Sequence, residues 1–164
     1  MEAAQLVAKI LDANRKHSSN YTNSFTSAEP KLELAVVTCM DARIDPLKIL
    51  GLSEGDAHIL RNAGGVVSED TIRSLVISQL LLSTKYIILI HHTNCGMASI
   101  DERTAADLIK QQTGLEFPYK IMTFRDPYED TRASVAILAN NPFILHKNIY
   151  GFVYDIDTGL LNAV

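Results

Sequence analysis

Apolar residues recur along this chain with two different periods. Leu6, Val7, Ile10 and Leu11 stand at helical spacing among polar neighbours, which predicts an amphipathic helix over residues 1–18. The following stretch, SSNYTNSFTSAEPK (18–31), is polar and rich in Ser, Thr and Asn, and reads as an extended connector. Beyond it the pattern alternates. LELAVVT (32–38), DAHILRN (56–62), KYIILIH (85–91) and IYGFVYDI (149–156) are short apolar or β-branched runs, the pattern of buried strands. Between them lie helical segments with their own punctuation. Asp45-Pro46 is an N-cap followed by proline at the first helical position, and Gly51 closes that short helix. Ser68 caps a helix running to about Thr84, with Ile72, Leu75, Val76, Gln79 and Leu80 on successive turns. Residues 99–113 read as a helix ended by Gly114. Asp126-Pro127 opens another that stops near Asn140-Asn141-Pro142, and Asp157-Thr158-Gly159 reads as a turn.

Strands separated by helices need crossover connections, so the fold class expected is α/β: one domain with a mostly parallel central sheet flanked by helices. Its length of 164 residues suits a single compact unit, and 47% hydrophobic with 21% charged residues is an ordinary globular balance. The net charge is −4 and no basic stripe is present, which argues against nucleic acid as a partner. No apolar run approaches the roughly 20 residues of a membrane span. The start, MEAAQLVAKILDANRKH, lacks the form of a secretory signal, so the expected compartment is the cytoplasm.

In a reducing compartment, the two cysteines, Cys39 and Cys95, point to metal binding or catalysis before a structural disulfide. Cys39 follows one predicted strand; His92 and Cys95, spaced His-x-x-Cys, follow another. Ligands in open parallel sheets gather at the carboxyl ends of strands. Thiolate and imidazole suit tetrahedral zinc, and a set of two cysteines and one histidine leaves a fourth position open, as catalytic zinc requires. Water there has its pKa lowered towards about 7. Each cysteine taken singly also fits a small buried apolar residue. In Cys39-Met-Asp41-Ala-Arg43, Asp41 can either accept a hydrogen bond from that water or occupy the fourth position itself, and Arg43 can decide between the two by holding the carboxylate bidentately. A structural ion pair bracing the loop is the alternative reading of Asp41 and Arg43, and their place beside a predicted ligand favours the catalytic one.

Cys-x-Asp-x-Arg followed by His-x-x-Cys resembles the signature of the β-class carbonic anhydrases. The likeness runs from about Leu34 to Met97. It includes Arg61-Asn62-Ala63-Gly64-Gly65, and GFVYDIDTGLL near the end is similar to the family's closing strand segment. The resemblance implies a zinc enzyme with Cys39, His92 and Cys95 as ligands, Asp41 and Arg43 as the catalytic dyad, and a homodimer or larger homo-oligomer. The leading activity is reversible hydration of carbon dioxide to bicarbonate. The alternative is hydrolysis of carbonyl sulfide, since the chain resembles a compact branch that includes hydrolases of carbonyl sulfide and carbon disulfide. Plant-type members carry a substrate-positioning glutamine before the first motif, and SAEPKLELAVV has none.

The chain divides into an arm, residues 1–31, and a zinc-binding catalytic domain, residues 32–164. Gly64, Gly65 and Val66 are candidates for lining the substrate pocket, because glycine lets backbone approach a site closely; a plain tight turn is the simpler reading. Val66 and Val67 fit pocket lining or core alike. His91 points away from His92 if the strand persists, and reads as structural. His58 and His146 are weak candidates for moving protons. Leu75, Ile77, Leu80, Leu81 and Leu82 fit core or subunit contact. A thiol-based zinc sensor is a third possibility, against which the Asp41–Arg43 pair argues, since a sensor needs no such dyad.

Overall fold

The computed structural model of the chain describes residues 2–22 and 27–164; residues 23–26 of the expected connector lie outside the described residues. The elements in order are α1 (Ala3–Ser18), β1 (Leu34–Cys39), α2 (Pro46–Leu50), β2 (Ala57–Asn62), α3 (Glu69–Leu81), β3 (Tyr86–His92), α4 (Glu102–Thr113), α5 (Pro127–Asn140), β4 (Asn148–Tyr154) and β5 (Leu161–Ala163). Short 3-10 turns at Ala63–Gly65 and Gly96–Ala98 follow β2 and β3.

The strands form one sheet in the order β2-β1-β3-β4-β5. The first four pair in parallel; β5 returns antiparallel beside β4, with Phe152 opposite Ala163. The sheet is mostly parallel, as the alternation of strands and helices requires. The small edge strand follows the turn at residues 157–159, where Asp155 Oδ1 accepts from the backbone of Asp157 and Thr158 and reverses the chain.

Strand alternation divides the core; α3 and α5 cover one face of the sheet, and the other is covered only in part, with Tyr86 and Tyr150 exposed on it. Ala35, Val37, Ile87 and Leu89 point to one side and pack with Val67, Leu75, Leu138 and Ile144. Leu34, Val36 and Ile90 point to the other, against Leu50, Leu52, Ile59 and Leu161. Helix α5 lies close on β4 because Gly151 has no side chain: a Cβ there would stand 2.7 Å from both Thr131 Cγ2 and Val164 Cγ2.

The helix starts have the chemistry their sequences encode. Asp45 Oδ1 accepts from Lys48 N, Ser68 Oγ from Thr71 N, and Asp126 Oδ1 from Tyr128 N and Glu129 N. Two boundaries differ from expectation. Helix α4 starts at Glu102 rather than 99, because Asp101 accepts from Thr104 N at 2.9 Å and takes the cap. Helix α3 ends at Leu81, where Thr84 N bonds back to Ser78 O and Ser83 takes a left-handed φ of 61°. Of the leucine-rich stripe, Leu75 is core, whereas Ile77, Leu80 and Leu81 are exposed. No α1 residue is buried, and its apolar Leu6, Val7, Ile10 and Leu11 are exposed. Among the described residues, no helix is long and apolar enough to cross a membrane.

Candidate metal centre

Cys39 is the last residue of β1 and His92 the last of β3, and these strands are neighbours in the sheet. Parallel pairing therefore sets both residues at the same edge, although they are far apart in sequence. Cys95 arrives from the loop after β3. That loop folds back because Thr93 N bonds Tyr154 O and Asn94 adopts a left-handed φ of 54°, a conformation asparagine tolerates better than most residues. The atoms with which these residues could hold a metal ion lie within 4.8 Å of one another, all three residues are buried, and the two sulfurs are 4.0 Å apart.

The chemistry of this group fits a metal ion. His92 Nδ1 lies 2.8 Å from the carbonyl of Thr93, which can only accept, so Nδ1 carries the hydrogen. Its Nε2 then faces the sulfurs with a lone pair, buried and without a hydrogen-bond partner. An unsatisfied buried polar atom costs about 1–3 kcal/mol, and a cation shared with two sulfurs removes that cost. A backbone carbonyl fixing the far nitrogen is the usual way a ligating histidine is oriented. Two thiols and an imidazole are a zinc-type donor set with a fourth position to spare.

The electrostatics favour giving up the proton of one thiol, Cys39. Cys39 is held well below the ordinary thiol range, first by a hydrogen bond from Cys95, against its burial, and then by His92 and the backbone N–H groups of Asp41 and Gly64. Cys95 is pushed up, because it is the partner that keeps the proton, and burial adds to this. Burial opposes charge on His92, but the neighbouring Cys39 sulfur, the Thr93 carbonyl and the Asp41 carboxylate outweigh it and raise the ring.

Asp41 and Arg43 sit beside this cluster. Arg43 Nε donates to Asp41 Oδ1 at 2.9 Å and Nη2 to Oδ2 at 2.7 Å, the bidentate arrangement. Asp41 Oδ2 is 3.9 Å from His92 Nε2. The Arg43 hydrogen bonds hold the Asp41 carboxyl far below the usual carboxylate range, and Asp41 in turn raises Arg43.

Two residues quoted from sequence only as part of a similar loop turn out to brace the site. Arg61 donates to the carbonyl of Cys39 at 3.0 Å and to that of Asp41 at 2.7 Å. Asn62 holds the glycine turn, accepting from Val66 N and donating to Val66 O, both at 2.9 Å. No spacing rule marks either, since each acts on backbone brought near by the fold. Gly65 has a φ of 71°, and a Cβ on it would lie 2.9 Å from Cys39 N, so only glycine fits. Val66 packs with Cys39, Cys95 and Phe124; Val67 belongs to the main core. His58 bonds Ser78 Oγ and the carbonyl of Ala28, remote from the three ligating residues in the fold, and the backbone of His146 bonds Gln79. A cavity of about 450 Å³ opens on the ligand loop, with His92, Cys95, Asn94, Ser99, Arg125 and Tyr128 in its wall; Gly64, Gly65 and Val66 do not line it.

The chain is similar to known proteins in sequence and in fold. The family model described as Carbonic anhydrase matches residues 34–161. Beta-carbonic anhydrase 1 of Mycobacterium tuberculosis is 46% identical over 136 residues, covering 82% of this chain and 83% of its own. Carbon disulfide hydrolase of Acidianus sp. strain A1-3 is 31% identical over 179 residues, covering 93% and 88%. The crystal structure of carbonic anhydrase from Streptococcus mutans superposes with a TM-score of 0.91 at 38% identity, with 96% of each chain covered. On these grounds the chain belongs to the β-class carbonic anhydrase family and is an enzyme of that family.

Proposed function

We propose that this protein catalyses the reversible hydration of carbon dioxide to bicarbonate, with zinc held by Cys39, His92 and Cys95. Zinc so bound would supply Lewis acidity that makes water a nucleophile near neutral pH. The observation that carries the reading is the bidentate Asp41–Arg43 pair beside a buried, unpaired His92 Nε2.

Each residue has a part in this reading. Asp41, ionised, is an acceptor only. Placed 3.9 Å from His92 Nε2, it edges the ligand cluster, where it would accept a hydrogen bond from the reacting water and orient it towards the substrate carbon. Arg43 engages both carboxylate oxygens and so keeps Asp41 from closing on the ligand cluster itself. A third Arg43 bond, from Nη2 to Asn94 O at 3.0 Å, ties the dyad to the loop that carries Cys95. Arg61 fixes the backbone on either side of Met40 from below.

The cavity wall is mixed, with Asn94, Ser99, Arg125 and Tyr128 beside Asp126, Ala98 and Pro127. Carbon dioxide is favoured as substrate by the greater likeness to the Mycobacterium tuberculosis beta-carbonic anhydrase 1, at 46% identity against 31% for the Acidianus hydrolase. Hydrolysis of carbonyl sulfide or carbon disulfide is the second reading, supported by the likeness to the Acidianus carbon disulfide hydrolase. One zinc-loaded preparation, assayed by stopped-flow acidification with carbon dioxide and by sulfide release with the sulfur gases, separates the two. Efficient sulfide release with feeble acidification would overturn the first reading. Zinc bound with turnover of neither gas would overturn both.

We infer further that the protein works as a cytoplasmic homo-oligomer with the dimer as its minimal unit. The unburied apolar side of α1 supports the assembly, and the two unlinked buried thiols, Cys39 and Cys95, suit a reducing compartment.

A further inference from the structure

His91 is 1% exposed and takes no part in the reading above. Its ring nevertheless joins three parts of the fold. Nδ1 donates to the carbonyl of Gly64 at 2.7 Å. Nε2 lies 3.0 Å from Asp130 Oδ2 on α5, at ion-pair distance but out of line for a hydrogen bond. The ring lies against Phe124 with centroids 5.0 Å apart.

Two of these three neighbours bear on Cys39. Gly64 accepts from His91 through its carbonyl, and its backbone is among the groups that lower the Cys39 thiol. Gly65, next along, lies against the Cys39 backbone too closely for any side chain. Phe124 packs in the same cluster as Cys39 and Cys95, and is the nearest atom, at 3.1 Å, that a Cβ on Gly64 would meet. A shift of the His91 ring therefore displaces Gly64 and Phe124, and with them the glycine turn and the aromatic ring packed against Cys39.

We propose that His91 is a positioning residue for the metal ligand Cys39, holding the carbonyl of Gly64 and with it the Gly64–Gly65 turn that abuts the Cys39 backbone, with the Asp130 carboxylate beside its far nitrogen. The proposal rests on the assignment of Cys39 as a ligand. It differs from a purely packing role for His91 because it requires the hydrogen at Nδ1, not the bulk of the ring. Partners of this outer kind typically change metal affinity about 10–100-fold.

Zinc affinity, measured by competition with a chromophoric chelator, tests it without reference to turnover. The thiolate-to-metal absorption of the cobalt-substituted protein supplies a spectroscopic signature. His91→Leu removes the donor and should weaken zinc binding about tenfold and shift the cobalt band. His91→Asn places an amide N–H near the former Nδ1 and should restore most of both. Asp130 has a side chain 30% exposed, so Asp130→Asn leaves the core packing in place. It should weaken zinc several-fold while the melting temperature of the metal-free protein stays unchanged, and Glu129→Gln on the same turn should match the parent. Parental affinity and cobalt spectrum in both His91→Leu and Asp130→Asn would overturn the proposal; if His91→Leu does not fold, Asp130→Asn decides alone. A parent that binds neither metal tightly would remove the ligand assignment and the proposal with it, a result distinct from variants that match a tight-binding parent.

Discussion

Arg43 grips both carboxylate oxygens of Asp41, with Nε 2.9 Å from Oδ1 and Nη2 2.7 Å from Oδ2. Two residues apart in sequence, they reach this geometry because the backbone turns between them, with Arg43 N also donating to Asp41 Oδ1 at 2.9 Å. The pair thus forms a rigid unit at the rim of the ligand cluster, and the first prediction concerns it. Asp41→Asn and Arg43→Ala should each lower kcat/KM for carbon dioxide about 100-fold, the lower range for loss of a positioned acceptor. Zinc content should remain near that of the parent. Stopped-flow rates and elemental analysis check both halves, and parental rates in both variants would make the pair structural.

Metal content gives the second prediction. Cys39→Ala, His92→Ala and Cys95→Ala should each reduce zinc from about one per chain to a small fraction, because a three-ligand site tolerates no loss. Full occupancy in all three variants, by elemental analysis, would end the ligand assignment.

Gly65→Ala is the third. The new Cβ would stand 2.9 Å from both Cys39 N and Thr38 C, backbone atoms that cannot swing aside, at a φ of 71° that alanine disfavours. Strain and overpacking together should cost about 2–4 kcal/mol. At about 2–4 °C per kcal/mol for a chain of this size, melting should fall clearly in calorimetry. An unchanged melting temperature would show that the turn can relax away from Cys39.

Acid should loosen one specific clasp. Glu102, at the start of α4, accepts from Ile121 N at 2.7 Å and Thr123 N at 3.1 Å, and these backbone hydrogen bonds hold its carboxyl below the ordinary range. A carboxylate lowered in this way stabilises the folded form above its unfolded value, about 4.3. That contribution is lost as pH falls through the folded value. Amide exchange at Ile121 and Thr123 should therefore be protected at neutral pH, lose protection on acidification, and be unprotected at all pH values in Glu102→Ala. Equal protection in the variant and the parent would show that the clasp does not form in solution.

The oligomer gives the last prediction. Leu6, Val7, Ile10 and Leu11 on α1 are 47–58% exposed, an apolar side with no buried residue in this chain. Light scattering at micromolar concentration should report a dimer or larger, and removal of residues 2–18 should shift it towards monomer. A monomeric parent would contradict the assembly.

What was legible in the sequence was local. Helix starts at Asp45, Ser68 and Asp126 were visible because a capping side chain bonds backbone two or three residues on. Strands such as Tyr86–His92 were visible because a buried parallel strand needs an unbroken apolar run. The candidate ligands and dyad stood out because their spacing places donor atoms on two short loops, and the alternation of strands and helices predicted a sheet that could bring those loops together. Tertiary structure decided the rest. It made β1 and β3 neighbours, so that the sulfurs of Cys39 and Cys95 come within 4.0 Å. It put Arg61 under the carbonyls of Cys39 and Asp41, Glu102 against Ile121 and Thr123, and His91 between Gly64 and Asp130. These partners are backbone groups or side chains 19 to 39 positions away, or, for Arg61, about 20. A backbone carbonyl has the same chemistry at every residue, so no residue type or spacing can announce which side chain will find it until the chain has folded.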